Sequence, residues 1–450
     1  MREREVASWL GIAAAVALVS VTGCRALEEV KDELFDRRTP RERYEAALEA
    51  AGLSRTALVR DWTDAGDRAL TAAPLVTSPH IEEGYLPPGE PAALALRISA
   101  RRGQEVVFQA ELVGDTTTLV FVEAWRIEAD TAARFRQVAV ADSGQRTLRL
   151  EPRADADYVF RVQPELLRGG RVRISLTVVP TLAFPILDGK EQTVRSRFGA
   201  PRDGGIRDHH GIDIFAPRGT VAVAAAEGRV ARVETTTRGG NVVWLRDQRG
   251  NALYYAHLDR QYVMEGDWVQ PGDTIGFVGN TGNARTTPPH LHFGVYRRGE
   301  GPMDPWWFVH HPPGVAPRLV ADTALLGTWT RTPAGEVALR AAPDAKADAL
   351  GTLAGHTAMR VVAAVGSWYR VRLPDGTTGY LAARLLEPVH LAVETTQLAL
   401  GKPVLSRPDV TEPSTVMEEW TATDSVAVLG RFGDYLLVRT PAGRSGWVAK

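Results

Sequence analysis

The segment PPHLHFGVY places His290 and His292 one residue apart in a 450-residue chain that has only ten histidines. Side chains at i and i+2 of a strand project from one face, so an H-x-H strand points both imidazoles into one space, an arrangement suited to a metal ion. Upstream, RDHHGIDIFAP carries His209 and Asp213 around Gly211. Imidazole nitrogen and carboxylate oxygen are ligands that zinc accepts; His209, Asp213 and His292 would make three and leave a fourth position for water. An open position separates a catalytic zinc site from a closed structural one, and the single cysteine, Cys24, cannot supply a thiolate-rich alternative. A further segment, LYYAHLD, ends a strand-like run at His257. Zinc lowers the pKa of its bound water to roughly 7, and an imidazole with an ordinary pKa near about 6.5 is a fitting acceptor for that proton. No H-E-x-x-H is present, so that motif supplies no glutamate base.

These histidines need strands to hold them. Between His257 and His290, VMEGDWVQPGDTIGFVGNTGNA punctuates short strands with Gly266, Gly272, Gly276, Gly279 and Gly282, the pattern of a compact antiparallel β-fold whose histidine-bearing strands converge on one groove. Taken in order, H-x-G-x-D, A-P-x-G-T, Y-x-H-L, V-x-x-G-D, G-x-x-G-x-T-G and P-H-L-H-F resemble the lysostaphin/LytM-type zinc metallopeptidases, which cut the peptide cross-links of bacterial peptidoglycan. The resemblance runs from about Pro185 to Phe308. It implies that His209, Asp213 and His292 hold Zn2+, that His257 and His290 are the catalytic histidines, and that peptidoglycan peptide stems or cross-links are the substrate. His290 would take the water proton while His257 stabilises the developing oxyanion and assists the leaving amine, with the assignment between the two left open. His210 is the unassigned x of H-x-G-x-D, and Gly294 stands where many relatives carry glutamate. Some relatives have lost metal ligands and activate separate amidases. The alternative is therefore a non-catalytic, cell-wall-binding regulator, against which the complete ligand set here speaks.

The rest of the chain reads as mainly β and multidomain. Its first residues combine Arg2 and Arg4 with an apolar run of roughly 16 residues, short of the roughly 20 that span a bilayer, and end in Val21-Thr22-Gly23-Cys24. That layout resembles a lipoprotein signal peptide (1–23), which implies lipidation at Cys24 and an exported, membrane-anchored protein. Arg25 stands where many inner-membrane lipoproteins carry the retaining aspartate, so in a cell with an outer membrane the periplasmic face of that membrane is the expected address. Residues 24–77 read as a helical spacer: Thr39-Pro40-Arg41-Glu42 is a capping box, Gly52 ends the first helix and Ser54 is the expected cap of the next. Residues 78–182 alternate with period two, as at Val172, Ile174, Leu176 and Val178, and predict an antiparallel β-sandwich that faintly resembles jelly-roll modules. The metallopeptidase domain is expected over 183–309 and a proline-rich linker, with His310 and His311 as solvated loop, over 310–328. In the last third, WYRVRLPDGTTGYLA and DYLLVRTPAGRSGWVA are an internal repeat, and VALRAAPDAKADALG resembles the opening of bacterial SH3-like domains. Two small SH3-like barrels are expected, 329–388 and 389–450, of which the second is more diverged. The net charge is −1, which leaves no electrostatic footprint for nucleic acid.

Overall fold

A computed structural model describes residues 38–114, 117–128, 134–142, 144–408, 414–421 and 425–450. The expected signal segment and Cys24 lie outside the described residues. The chain divides into two compact units, Met1–Arg60 and Asp61–Lys450. In the first, Thr39 caps the helix Pro40–Ala50: its Oγ1 accepts from the Glu42 amide at 3.2 Å while Glu42 Oε2 accepts from the Thr39 amide at 2.6 Å, the reciprocal capping box. The next helix, Ala57–Thr71, is capped by Thr56 rather than Ser54, since the Val59 amide donates to Thr56 Oγ1 at 3.4 Å. Among the described residues no helix is long and apolar enough to cross a membrane.

The second unit is built almost wholly of antiparallel strands. Eight of them between His80 and Pro180 form two facing layers, because alternate residues of each strand meet in one core that includes Leu96, Phe108, Phe160 and Ile174. In sequence order the layers run first, eighth, third, sixth and second, seventh, fourth, fifth, the strand order of a jelly roll. Trp62, 1% exposed, closes one end by donating from Nε1 to the Pro164 carbonyl at 2.8 Å.

The next module, up to about Val309, is a twisted antiparallel sheet. From one edge its order is Trp268–Val269, Gly228–Thr236, Gly240–Asp247, Asn251–Gln261, His290–Arg297, Ile212–Phe215 and Val194–Ser196. Period two divides the faces: Ile212, Ile214, Leu253, Tyr255, Leu291, Phe293 and Val295 enter the core, and the residues between them line the opposite side.

The C-terminal part contains a first small barrel and, after it, a six-stranded sheet with the same hairpin pairing. Arg370 faces Tyr380 and Val371 faces Gly379 in one hairpin, while Leu437 faces Trp447 and Val438 faces Gly446 in the other. Arg340 then pairs with Tyr380 just as Leu405 pairs with Trp447. The first barrel is joined to the sandwich by its backbone: Glu83 pairs with Ala364 and Gly84 with Ala363, so the His80–Leu86 strand belongs to both. The expected linker is likewise tied down. His310 donates from Nδ1 to Glu191 at 2.6 Å and stacks on Trp306 at 4.4 Å, and the Val320 and Ala321 amides both reach the Gly366 carbonyl at 2.8 Å. His310 is thus half-buried and partnered, and only His311 is exposed as a loop histidine would be.

Candidate metal centre and groove

Three neighbouring strands set the site by register. Asp213 lies directly across from His292, and His292 across from Ala256, so one row crosses the face away from the core. The row beside it holds Phe215 and His290, and the row on the other side holds Trp244, Tyr254 and Gly294. His209 arrives from a turn rather than a strand, fixed by its amide on the Ala200 carbonyl at 2.9 Å and its carbonyl on the Gly199 amide at 2.8 Å.

His209 Nε2, His292 Nδ1 and Asp213 Oδ1 meet at 3.0 Å from one another. His209 Nδ1 lies 2.8 Å from the Arg197 carbonyl, which only accepts, so the proton sits on Nδ1 and Nε2 turns a lone pair toward Asp213. Lone pairs crowded together in this way, all on nitrogen or oxygen, call for a cation between them, and the donor set is one that zinc takes. Among the described residues this is the group of three that could hold a metal ion. Burial pushes Asp213 up; with no ion bound, protonation of His209 and His292 lets both rings donate to it, and those hydrogen bonds and charges outweigh burial and hold the carboxyl well below the usual carboxylate range. Its second oxygen, Oδ2, accepts from Arg202 Nη2 at 2.7 Å, and the same Nη2 reaches Ser196 Oγ at 2.6 Å.

His290 and His257 stand beside this group. His290 Nδ1 donates to the Pro288 carbonyl at 2.9 Å, and its Nε2 faces Asp213 Oδ1 from 4.0 Å. His257 Nδ1 donates to the Thr281 carbonyl at 2.9 Å, and its ring centre lies 5.1 Å from that of His290. In the neutral tautomer that its carbonyl partner fixes, each ring presents an Nε2 lone pair. Burial first, then the neighbouring His292 and His290, push His257 down to about 4, so it is neutral near pH 7 and offers a lone pair, not a proton, to its surroundings.

Strict alternation would place His257 with Tyr255 in the core. It reaches the groove because its backbone adopts φ of +62°, a left-handed conformation uncommon outside glycine, at a break in the ladder between Asn241 and Val243. Tyr255 does stay in the core, where its hydroxyl accepts from the Ala225 amide at 2.8 Å. His210 does not join the convergent atoms; it is exposed at the groove, its ring 6.3 Å from Phe198.

The groove, with a volume of about 690 Å³, is also lined by Arg202, Trp244, Tyr254 and Tyr296, none of which stood out in the sequence, and by Arg238 of the TTTRGG segment, whose composition marks it as a groove loop. Trp244 and Tyr254 pack at 4.4 Å, forming an aromatic wall with Tyr296. Burial, and then the neighbouring Tyr296, raise the Tyr254 hydroxyl to about 12. The aromatic row was readable only with the register in hand, since Trp244 and Tyr254 come from different strands.

Residues 207–305, which hold the whole convergent group, match peptidase family M23, and residues 335–387 match the bacterial SH3 domain. The chain therefore carries an M23 peptidase domain and a bacterial SH3 domain. It is 36% identical over 135 residues to an L-Ala--D-Glu endopeptidase of Bacillus subtilis, covering 28% of this chain and 41% of that protein. It is 41% identical over 93 residues to the peptidoglycan DD-endopeptidase ShyC of Vibrio cholerae, covering 21% of each. Among solved structures, the catalytic domain of the antimicrobial peptidase lysostaphin from Staphylococcus simulans is 32% identical, with 24% of this chain and 85% of that one covered and a TM-score of 0.23. The chain thus spans less than half the length of the two curated relatives.

Proposed function

We propose that this protein is a zinc-dependent endopeptidase that hydrolyses peptide cross-links of bacterial peptidoglycan, held at the membrane by a lipid on Cys24. The observation that carries the reading is the convergence of His209 Nε2, Asp213 Oδ1 and His292 Nδ1 beside the Nε2 atoms of two further histidines, on an open groove. A regulator without activity has no need of such a set. His209, Asp213 and His292 would hold the ion, which when bound supplies Lewis acidity and a water acidic enough to ionise near neutral pH.

The chain's own groups supply the rest. Backbone carbonyls of Pro288 and Thr281 fix the tautomers of His290 and His257, so that both Nε2 atoms accept a proton without first losing one. The accepted proton is then available for the leaving amine, because an imidazole that gains a proton at Nε2 becomes a donor there. Trp244, Tyr254 and Tyr296 offer flat apolar surface on which a peptide can be oriented. Support for a peptidoglycan substrate comes from the relatives named for that chemistry and from the SH3 match. Residues 389–450 we read as a second, diverged SH3-like module, on the strength of the repeated hairpin register. In a cell with an outer membrane, the expected address is the periplasmic face of that membrane.

The test is digestion of purified peptidoglycan by the zinc-loaded protein, a chelated control and the His292→Ala variant, with mass spectrometry of the products. Muropeptide release by the loaded protein alone is the expected result. Release by none would overturn the hydrolase reading, and equal release by parent and variant would overturn the ligand assignment.

A further inference from the structure

Away from the groove, a recess of about 240 Å³ lies where the C-terminal turn of the Ala57–Thr71 helix and the chain leading into the Leu94–Ala100 strand meet the first barrel. Its charged lining is entirely basic, consisting of Arg68, Arg370 and Arg372, set among small or aliphatic residues such as Ala69, Ala92 and Leu94. Arg370 and Arg372 share a strand face by their i, i+2 spacing, and Arg372 also lies directly across the ladder from Arg360. Like charges so placed destabilise a sheet unless something offsets them. Arg360 has Glu90 at 3.4 Å and Arg370 has Glu82 at 2.8 Å, but among the described residues neither Arg68 nor Arg372 has a carboxylate within ion-pair distance. Arg370, 5% exposed, also keeps an Nε that makes no hydrogen bond. Loss of water around the Arg372 head group, and then the Arg370, Arg68 and Arg360 charges, lower its pKa even though part of the residue remains exposed; an arginine still stays charged at any working pH.

We propose that this recess binds the terminal carboxylate of a short peptide, with Arg68, Arg370 and Arg372 as the donors. Guanidinium forks match the two oxygens of a carboxylate, and the alanine and leucine walls suit a small aliphatic side chain next to it. The volume is below the roughly 300–1,000 Å³ of pockets that enclose drug-sized ligands, which limits the occupant to a chain end. Free phosphate presents a similar two-oxygen edge, so the test separates the two.

The full chain is titrated with acetyl-alanyl-alanine, with the amide of the same peptide and with inorganic phosphate, following the heat of binding and the shift in Tm. Binding of the acid, with the amide and phosphate inert, is expected. Arg68→Gln and Arg372→Gln should each weaken binding ~10-fold or more, the scale of a lost charge-assisted hydrogen bond. Arg372→Gln should in addition leave the unliganded Tm unchanged or raised, because it relieves repulsion; a merely structural arginine would give a lower one. Equal binding of acid and amide, binding of phosphate alone, no binding by any probe, or parent-like binding by both variants overturns the proposal.

Discussion

Gly211 gives the sharpest test of how the candidate metal centre is packed. A Cβ added there would lie 2.6 Å from His292 Cε1, 2.7 Å from its Nε2 and 2.6 Å from the Phe293 carbonyl oxygen. Ordinary contact begins near 3.4 Å, so the shortfall is roughly 0.8 Å, and the carbonyl cannot yield because Phe293 is paired with Ile212 in the ladder. The His292 ring must therefore retreat, taking Nδ1 away from Asp213 and His209. For Gly211→Ala the overpacking should cost about 1–3 kcal/mol of stability. Zinc affinity should fall by ~10- to 100-fold, the range seen when a ligand's supporting contacts are disturbed, and cleavage by ~100-fold for a misplacement near 1 Å. Gly335→Ala is the control, since its Cβ would meet nothing within 4 Å. The assay is competition for zinc against a chromophoric chelator, run beside thermal unfolding. If Gly211→Ala takes zinc as tightly as the parent, His292 is not held where this packing says it is.

Three further outcomes are expected. Arg202→Gln should weaken zinc binding by ~10- to 100-fold, because it removes the 2.7 Å contact that steadies the outer oxygen of Asp213; unchanged affinity in a calorimetric titration would show that this arginine does not position the carboxylate. Tyr255→Phe should lower stability by about 1–3 kcal/mol in chemical denaturation by stranding the buried Ala225 amide, and a neutral result would mean that the amide finds another partner. Glu82 is fully buried; burial pushes it up, but Arg370 and His80 outweigh this and hold it below its ordinary 4.5, so its contribution is complete above that pH and is lost as the pH falls below it. Glu82→Gln should accordingly cost about 3–5 kcal/mol near pH 7, with the Tm gap to the parent closing in acid, and a gap that widens in acid would refute the assignment.

The layered sandwich and the shared face of His290 and His292 were legible because period two is written openly in VRISLTV and HLHFGV. That pattern specifies which side chains share a face. It says nothing of departures from it, which is why His257 takes its catalytic role only from the family resemblance: its route to the groove is a backbone conformation that no pattern of residue types announces. Arg202 escaped notice because it acts through Asp213 from a two-residue strand, with no spacing rule to mark it. Ser54 and Thr56 are both good capping residues, and only the first amide bond of the helix, made to Thr56, distinguishes them. The prolines of residues 310–328 disfavour strands and long helices; the stretch holds one short 3-10 helix, Thr323–Leu325, and side-chain and amide contacts tie it down.

The strand His80–Leu86, shared between the sandwich and the first barrel, has a consequence for how a wall-binding module would serve a catalytic one. Modules on a slack tether gain local concentration by searching a volume, and they tolerate targets at many separations. Here a backbone ladder removes that search. The distance from the SH3 module to the sandwich is set at folding, so whatever the barrel holds stays at one fixed place relative to the sandwich.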